Sequence, residues 1–169
     1  MQRLLLMDAQ NYDPALDEIR RVAVRGIIFL DGKLLFVEDK FGVLKLPGGG
    51  QDEGETDIDT LIREVREETG YNVIPESIRE FGSIEEKRMS THEEMIWHQY
   101  NNLYFCDVEA EQGECDYSEN EKRYGMHFRA CTLEEAFEIN EQTLQREGKQ
   151  AWNQREYNTL MLLKEHLSK

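Results

Sequence analysis

From Pro47 to Tyr71 the chain reads PGGGQDEGETDIDTLIREVREETGY, and no other stretch limits its folding options as tightly. Pro47 closes an extended segment, and Gly48, Gly49 and Gly50 allow a backbone path that residues with a Cβ cannot follow, so the turn can come close to a ligand. Gly54 adds a second bend, Thr56 or Asp57 can cap a helix, and Gly70 can end it in a left-handed conformation. A helix is therefore expected from about Asp57 to Thr69. Ile58, Leu61, Ile62 and Val65 form its apolar stripe, expected to face inward.

Glu64, Glu67 and Glu68 stand at i, i+3 and i+4, so they leave one face of that helix with their carboxylates close together. Three neighbouring anions repel one another unless a cation sits among them. Hard oxygen donors of this kind suit Mg²⁺ or Mn²⁺ rather than zinc. Arg63, adjacent to Glu64 and one turn before Glu67, can fix carboxylate rotamers through charge-assisted hydrogen bonds. Such an arrangement points to metal-dependent chemistry on a phosphate ester or anhydride. The bland alternative is a solvated acidic helix after a glycine loop.

The spacing resembles the signature of the Nudix hydrolases, G-x5-E-x7-R-E-U-x-E-E-x-G-U, where U is a bulky aliphatic residue. Gly49, Glu55, Arg63, Glu64, Val65, Glu67, Glu68 and Gly70 fall in place, and Tyr71 departs by being aromatic. The resemblance implies an α/β fold, an α/β/α sandwich with a mixed sheet between helices. It also implies roles: Glu64 and Glu68 as metal ligands, Glu67 as a further or water-bridged ligand, and the Gly49 carbonyl completing the shell. Glu55 would orient its neighbours or act through water, and Gly48, Gly50 and Gly70 would shape the turn and the helix end. Arg63 is expected to position rather than transfer protons, because a guanidinium stays protonated. In many members the general base is a glutamate on a loop outside the motif, and in others a motif glutamate serves. Glu119 and Glu121, in the acidic loop from Glu109 to Lys122, stand where such a loop residue would be.

At 169 residues the chain is read as one domain, with a core that needs no disulfide staples. Cys106, Cys115 and Cys131 show no C-x-x-C spacing and leave an odd thiol, which suits a reducing cytoplasm. Leu4 to Met7 is too short for a signal-peptide core, and no apolar run is long enough to span a bilayer. A net charge of −15 repels long nucleic acid but admits a small phosphorylated metabolite that arrives with its cation.

Along the chain, Val22 to Leu30, the Asp31-Gly32 turn and Lys33 to Glu38 read as a hairpin. Val43 to Leu46 reads as a short strand feeding the glycine turn. Phe81 to Met89 and Ile96 to Val108 look like a long antiparallel pair, and Met126 to Ala130 like another strand. Thr132 and Glu135 form a capping box for a helix through about Gln145. Gln150 to Leu167 is an amphipathic helix, expected to pack on its own domain or at a homodimer interface.

The activity implied by the resemblance is Mg²⁺-dependent hydrolysis of the pyrophosphate linkage in a nucleoside diphosphate joined to a moiety X. Nucleoside triphosphates, nucleotide sugars and dinucleoside polyphosphates all belong to that class. The alternative is a module that senses a nucleotide metabolite without turning it over, although a sensor has no need of a complete R-E-V-x-E-E core. Isopentenyl diphosphate isomerases use the same fold but need a cysteine and a glutamate outside the box, for which no equivalent stands out. Substrate contacts are only hinted at. Phe41, Trp97, Tyr100 and Tyr104 could stack on a base, and Arg25, Lys45, Lys87 and Arg88 could meet phosphates, whereas aromatics in strands more often build core.

Overall fold

The computed structural model describes residues 1–146 and 152–169. Its main sheet has the order β1-β8-β9-β2-β6, from strands Arg3–Asp8 (β1), Glu18–Ile27 (β2), Gly48–Gly50 (β6), Arg79–Met89 (β8) and Ile96–Phe105 (β9). β8 and β9 form the long antiparallel pair, β2 runs parallel to β9 and antiparallel to β6, and β1 runs parallel to β8. The sheet is mixed, as the fold class requires.

A second sheet is built on Lys33–Glu38 (β4), flanked by His127–Cys131 (β11) and Phe29–Leu30 (β3), with Leu44–Lys45 (β5) also paired to β4. The turn at Asp31-Gly32 is present, with φ of 50° and 76°, but it joins β3 to β4 and not β2 to β4. The expected hairpin is therefore split. The chain leaves the main sheet at Ile28, whose buried carbonyl accepts from the Leu35 N–H at 3.0 Å, and continues in the second sheet.

β4 explains why its sequence shows no alternation. Leu34 and Phe36 enter one core, Leu35 enters the other, and all four residues from Leu34 to Val37 are buried. A strand covered on both faces reads as a continuous apolar run. On one side lie Ile27, Leu103, Leu160 and Leu163, beneath helices Leu133–Leu144 (α3) and Asn153–Leu167 (α4). On the other lie Val24, Tyr104, Leu61 and Val65, beneath helix Asp57–Thr69 (α1). Helices thus cover both sides.

α1 spans the residues its sequence signals mark. Thr56 caps it in a reciprocal box with Asp59, and Gly70 closes it at φ 76°. The expected stripe is corrected at one position: Ile58 is exposed, while Leu61 and Val65 are buried. In the first turn it is Asp57 that faces the sheet, accepting from Asn102 and Tyr104 of β9 at 2.7 Å, and the neighbouring Ile58 is turned to solvent. α3 starts at the Thr132–Glu135 box, with the Thr132 N–H donating to Glu135 at 2.8 Å. The proposed start of the last helix at Gln150 lies outside the described residues.

β1 is an edge strand: Leu5 and Met7 pack on the core while its other face stays wet. The acidic stretch from Glu109 is not one loop. Its beginning forms Val108–Gln112 (β10), antiparallel to Tyr71–Val73 (β7), and its end forms the short helix Glu119–Arg123 (α2). α2 is fixed by its own box, in which Ser118 N–H donates to Glu121 Oε2 at 2.6 Å.

Candidate active site: a carboxylate cluster facing a basic wall

The glycine turn lies against α1 because two of its residues cannot carry a side chain. Gly48 has φ of 140°, and a Cβ there would strike the Val24 carbonyl. A Cβ on Gly49 would fall inside the Glu64 carboxylate. The closeness lets the Gly48 N–H donate to Glu68 Oε2 at 2.6 Å, while the Arg25 guanidinium donates to the Gly48 and Leu46 carbonyls.

Glu68 and Glu64 are 1% and 7% exposed. Burial pushes the Glu68 carboxyl up to about 8, against the pull of nearby Arg25 and the Gly48 N–H. Burial raises Glu64 as well, opposed by Arg63. Glu121 reaches the same place from α2: one carboxylate oxygen from each of Glu64, Glu68 and Glu121 lies within 4.8 Å of the others. Three carboxylates, with no thiol or imidazole among them, fit a hard divalent cation, which would relieve the desolvation that lifts Glu68.

Glu119 and Glu121 are two residues apart, about 200° around a helix, so they cannot face one target. Glu119 points outward, its side chain 91% exposed and paired with Lys122 at 3.0 Å. Glu67 also stands outside the cluster of three, with Arg63 donating to it at 3.3 Å.

Arg63 holds the turn and the helix together. Nε and Nη2 donate to the two oxygens of Glu55 at 2.6 and 2.9 Å, Nη1 to Glu64 at 2.8 Å, and Nη2 to the Gly50 carbonyl at 3.2 Å. Glu55 also accepts from Asp52 N–H and Thr60 Oγ1. The Arg63 hydrogen bonds, foremost, hold the Glu55 carboxyl down at about 2.

The cluster opens into a cleft of about 460 Å³ whose remaining walls include Arg21, Arg25 and Lys45. These three also border an adjoining cleft of about 600 Å³, with Arg88, Trp97, Tyr124 and Trp152. Of the residues named from sequence, Arg25, Lys45, Arg88 and Trp97 meet here. Lys87 instead pairs with Glu18 at 3.1 Å, Tyr100 stacks on His98, Tyr104 is buried, and Phe41 edges Tyr124 from outside this cleft. Sequence reasoning missed Arg21, Tyr124 and Trp152. Arg21 was discoverable, because it sits at i−4 from Arg25 on β2 and a strand presents such residues on one face. Among the described residues Arg21 has no carboxylate at salt-bridge distance, and its guanidinium lies over the Trp97 ring at 5.8 Å.

The family model described as the NUDIX domain matches residues 19–152. The chain belongs to this family. YjhB of Bacillus subtilis, provisionally named an ADP-ribose pyrophosphatase, is 28% identical over 92 residues, which are 54% of this chain and 43% of that protein. The chain thus matches less than half the length of this curated relative. Among solved structures, a NUDIX hydrolase from Nitrosomonas europaea is 20% identical with a TM-score of 0.55, covering 83% of this chain and 90% of that one. An ADP-ribose pyrophosphatase from Streptococcus suis is 17% identical with a TM-score of 0.56, covering 88% and 92%. At these identities the solved structures share the NUDIX fold. The departure from the NUDIX signature, Tyr71, is 8% exposed and sets its ring edge-on to Phe128 at 6.2 Å, so the aromatic ring fills core that an aliphatic side chain would leave open.

Proposed function

We propose that this NUDIX domain is a divalent-metal-dependent pyrophosphohydrolase for a nucleoside diphosphate linked to a moiety X, with ADP-ribose the first substrate to test. One observation carries the reading. The buried carboxylates of Glu64 and Glu68, joined by Glu121, share a cleft with the cations Arg21, Arg25 and Lys45. An anionic linkage can therefore lie between a cation-holding wall and a cationic one, and an aromatic ring can continue toward Trp97, Tyr124 and Trp152.

Glu64, Glu68 and Glu121 would hold Mg²⁺ or Mn²⁺, with the Gly49 carbonyl and a water-bridged Glu67 completing its surroundings. The bound ion supplies charge neutralisation at the phosphoryl oxygens and lowers the pKa of water. Arg63 orients Glu64 and Glu55 and stays protonated throughout. Glu68 accepts from the Gly48 N–H, Glu64 from Arg63 and Glu121 from the Ser118 N–H. Of the three, the half-buried Glu121, on the segment outside the motif helix, is assigned as the group that would take the proton of the attacking water. Glu119 has no part in this scheme. Arg21 and Lys45 stabilise charge on the departing phosphate.

The same reading takes residues 1–169 as one domain, with Leu160 and Leu163 of α4 packed on its own core. The free thiols of Cys106, Cys115 and Cys131 support a reducing cytoplasm. Among the described residues no helix is long and apolar enough to cross a membrane.

The test is release of AMP, phosphate or pyrophosphate from ADP-ribose, nucleotide sugars, nucleoside triphosphates and dinucleoside polyphosphates, with Mg²⁺, Mn²⁺ or EDTA. Metal-dependent turnover that disappears in Glu64→Gln supports the hydrolase. Nucleotide binding with no turnover of any substrate would make the domain a sensor.

A further inference from the structure

The third carboxylate of the cluster stands on a short exposed element, held by its own capping box and by Lys40 Nζ donating to the Arg123 carbonyl at 3.1 Å. α2 is five residues long, and none of its side chains is buried. Its carboxyl end runs into Tyr124, whose carbonyl accepts from the Lys40 N–H at 2.8 Å. The Tyr124 ring meets Trp152 edge-on at 6.1 Å and Phe41 at 6.3 Å, with Lys40 Nζ over its face at 5.2 Å. Tyr124 and Trp152 line the aromatic cleft, while Glu121, one helical turn earlier, lines the acidic one. The same short segment therefore borders both clefts.

We propose that Tyr124 is a positioning residue: a nucleoside seated against Tyr124 and Trp152 fixes α2, and thereby fixes Glu121 against Glu64 and Glu68. The inference rests on the hydrolase reading for the identity of the ligand, and it adds an energetic link between base recognition and cation binding. A nucleoside without phosphate is the informative probe. Adenosine lacks the phosphate oxygens that would ligate the cation, so coupling between the two passes through the protein. Linkage makes the effect reciprocal: if adenosine orders Glu121, the cation must tighten adenosine by the same factor. Ordering a segment once, for two ligands, is sufficient cause.

The experiment titrates adenosine against the intact protein, read by the fluorescence of Trp97 and Trp152, in Mn²⁺ and in EDTA. Mn²⁺ binding is followed separately by electron paramagnetic resonance. Mn²⁺ is expected to tighten adenosine by about five-fold or more, the lower end of ordinary coupling. Tyr124→Phe should keep that ratio because the ring contacts remain. Tyr124→Ala should bring it close to one, and so should Phe41→Ala, which removes a support of the ring without opening the aromatic cleft. A ratio of one in the unaltered protein, or a full ratio in both alanine variants, overturns the inference. Loss of Mn²⁺ binding in Glu68→Gln is judged separately: if Mn²⁺ still binds with full affinity there, it is the cluster assignment that fails.

Discussion

Gly48 donates its backbone N–H to Glu68 at 2.6 Å, which joins the glycine turn to the far end of the helix that follows it. The bond forms only because Gly48 takes a conformation that side chains resist and because Gly49 lets the Glu64 carboxylate come against the backbone. Turn and helix are thus one unit. What disturbs either should disturb the cluster.

Glu68→Gln removes a charged donor and keeps the shape. Turnover should fall by on the order of 100-fold or more, since disturbing even the partners of metal ligands costs about 10 to 100-fold. The fold should survive. Steady-state rates with Mg²⁺, together with the thermal midpoint in EDTA, check both parts, and an unchanged rate would remove Glu68 from the site.

The metal-free protein should show a distinctive pH dependence at this residue. Its carboxyl titrates at about 8 in the folded chain but near 4.5 when exposed by unfolding, because burial penalises the charge. Across that window the unfolded state binds fewer protons, so Glu68 makes the protein less stable as pH rises from about 4.5 to about 8. Saturating Mg²⁺ should reverse the trend, because protons then compete with the cation. The quantity to measure is the difference in thermal midpoint between the unaltered protein and Glu68→Gln through this range, with EDTA and with Mg²⁺. The same slope in both conditions would contradict the prediction.

Arg63→Lys keeps the charge and loses the fork. A lysine cannot hold both Glu55 oxygens, Glu64 and the Gly50 carbonyl together. Metal affinity should drop by about 10 to 100-fold with the helix intact. Mn²⁺ titration and far-ultraviolet circular dichroism separate the two effects, and equal affinity would show that Arg63 is dispensable.

Tyr71 tests the one departure from the signature. Tyr71→Phe should be nearly neutral, because the edge contact with Phe128 needs only the ring. Tyr71→Ala should cost about 3 to 5 kcal/mol, as for other large aromatic truncations in a core. Chemical denaturation measures this, and a loss under about 1 kcal/mol would mean that the core closes over the gap.

Local chemistry was enough for the sequence to determine α1, its caps at Thr56 and Gly70, the shared face of Glu64 and Glu68, and the capping box at Thr132. Each depends on residues at most a few turns apart, where helical spacing fixes who meets whom. Tertiary structure alone decided the rest. Parallel pairing of β2 with β9 joins residues 78 positions apart, and the change of sheet at Ile28 depends on which partner β4 finds. Glu119 and Glu121 have the same chemistry and nearly the same position in sequence, yet the direction of α2 turns one to solvent and the other to the cluster. Arg21, Tyr124 and Trp152 come from three distant segments and become a wall only after both sheets have closed, because no local spacing records a meeting between elements that fold onto each other.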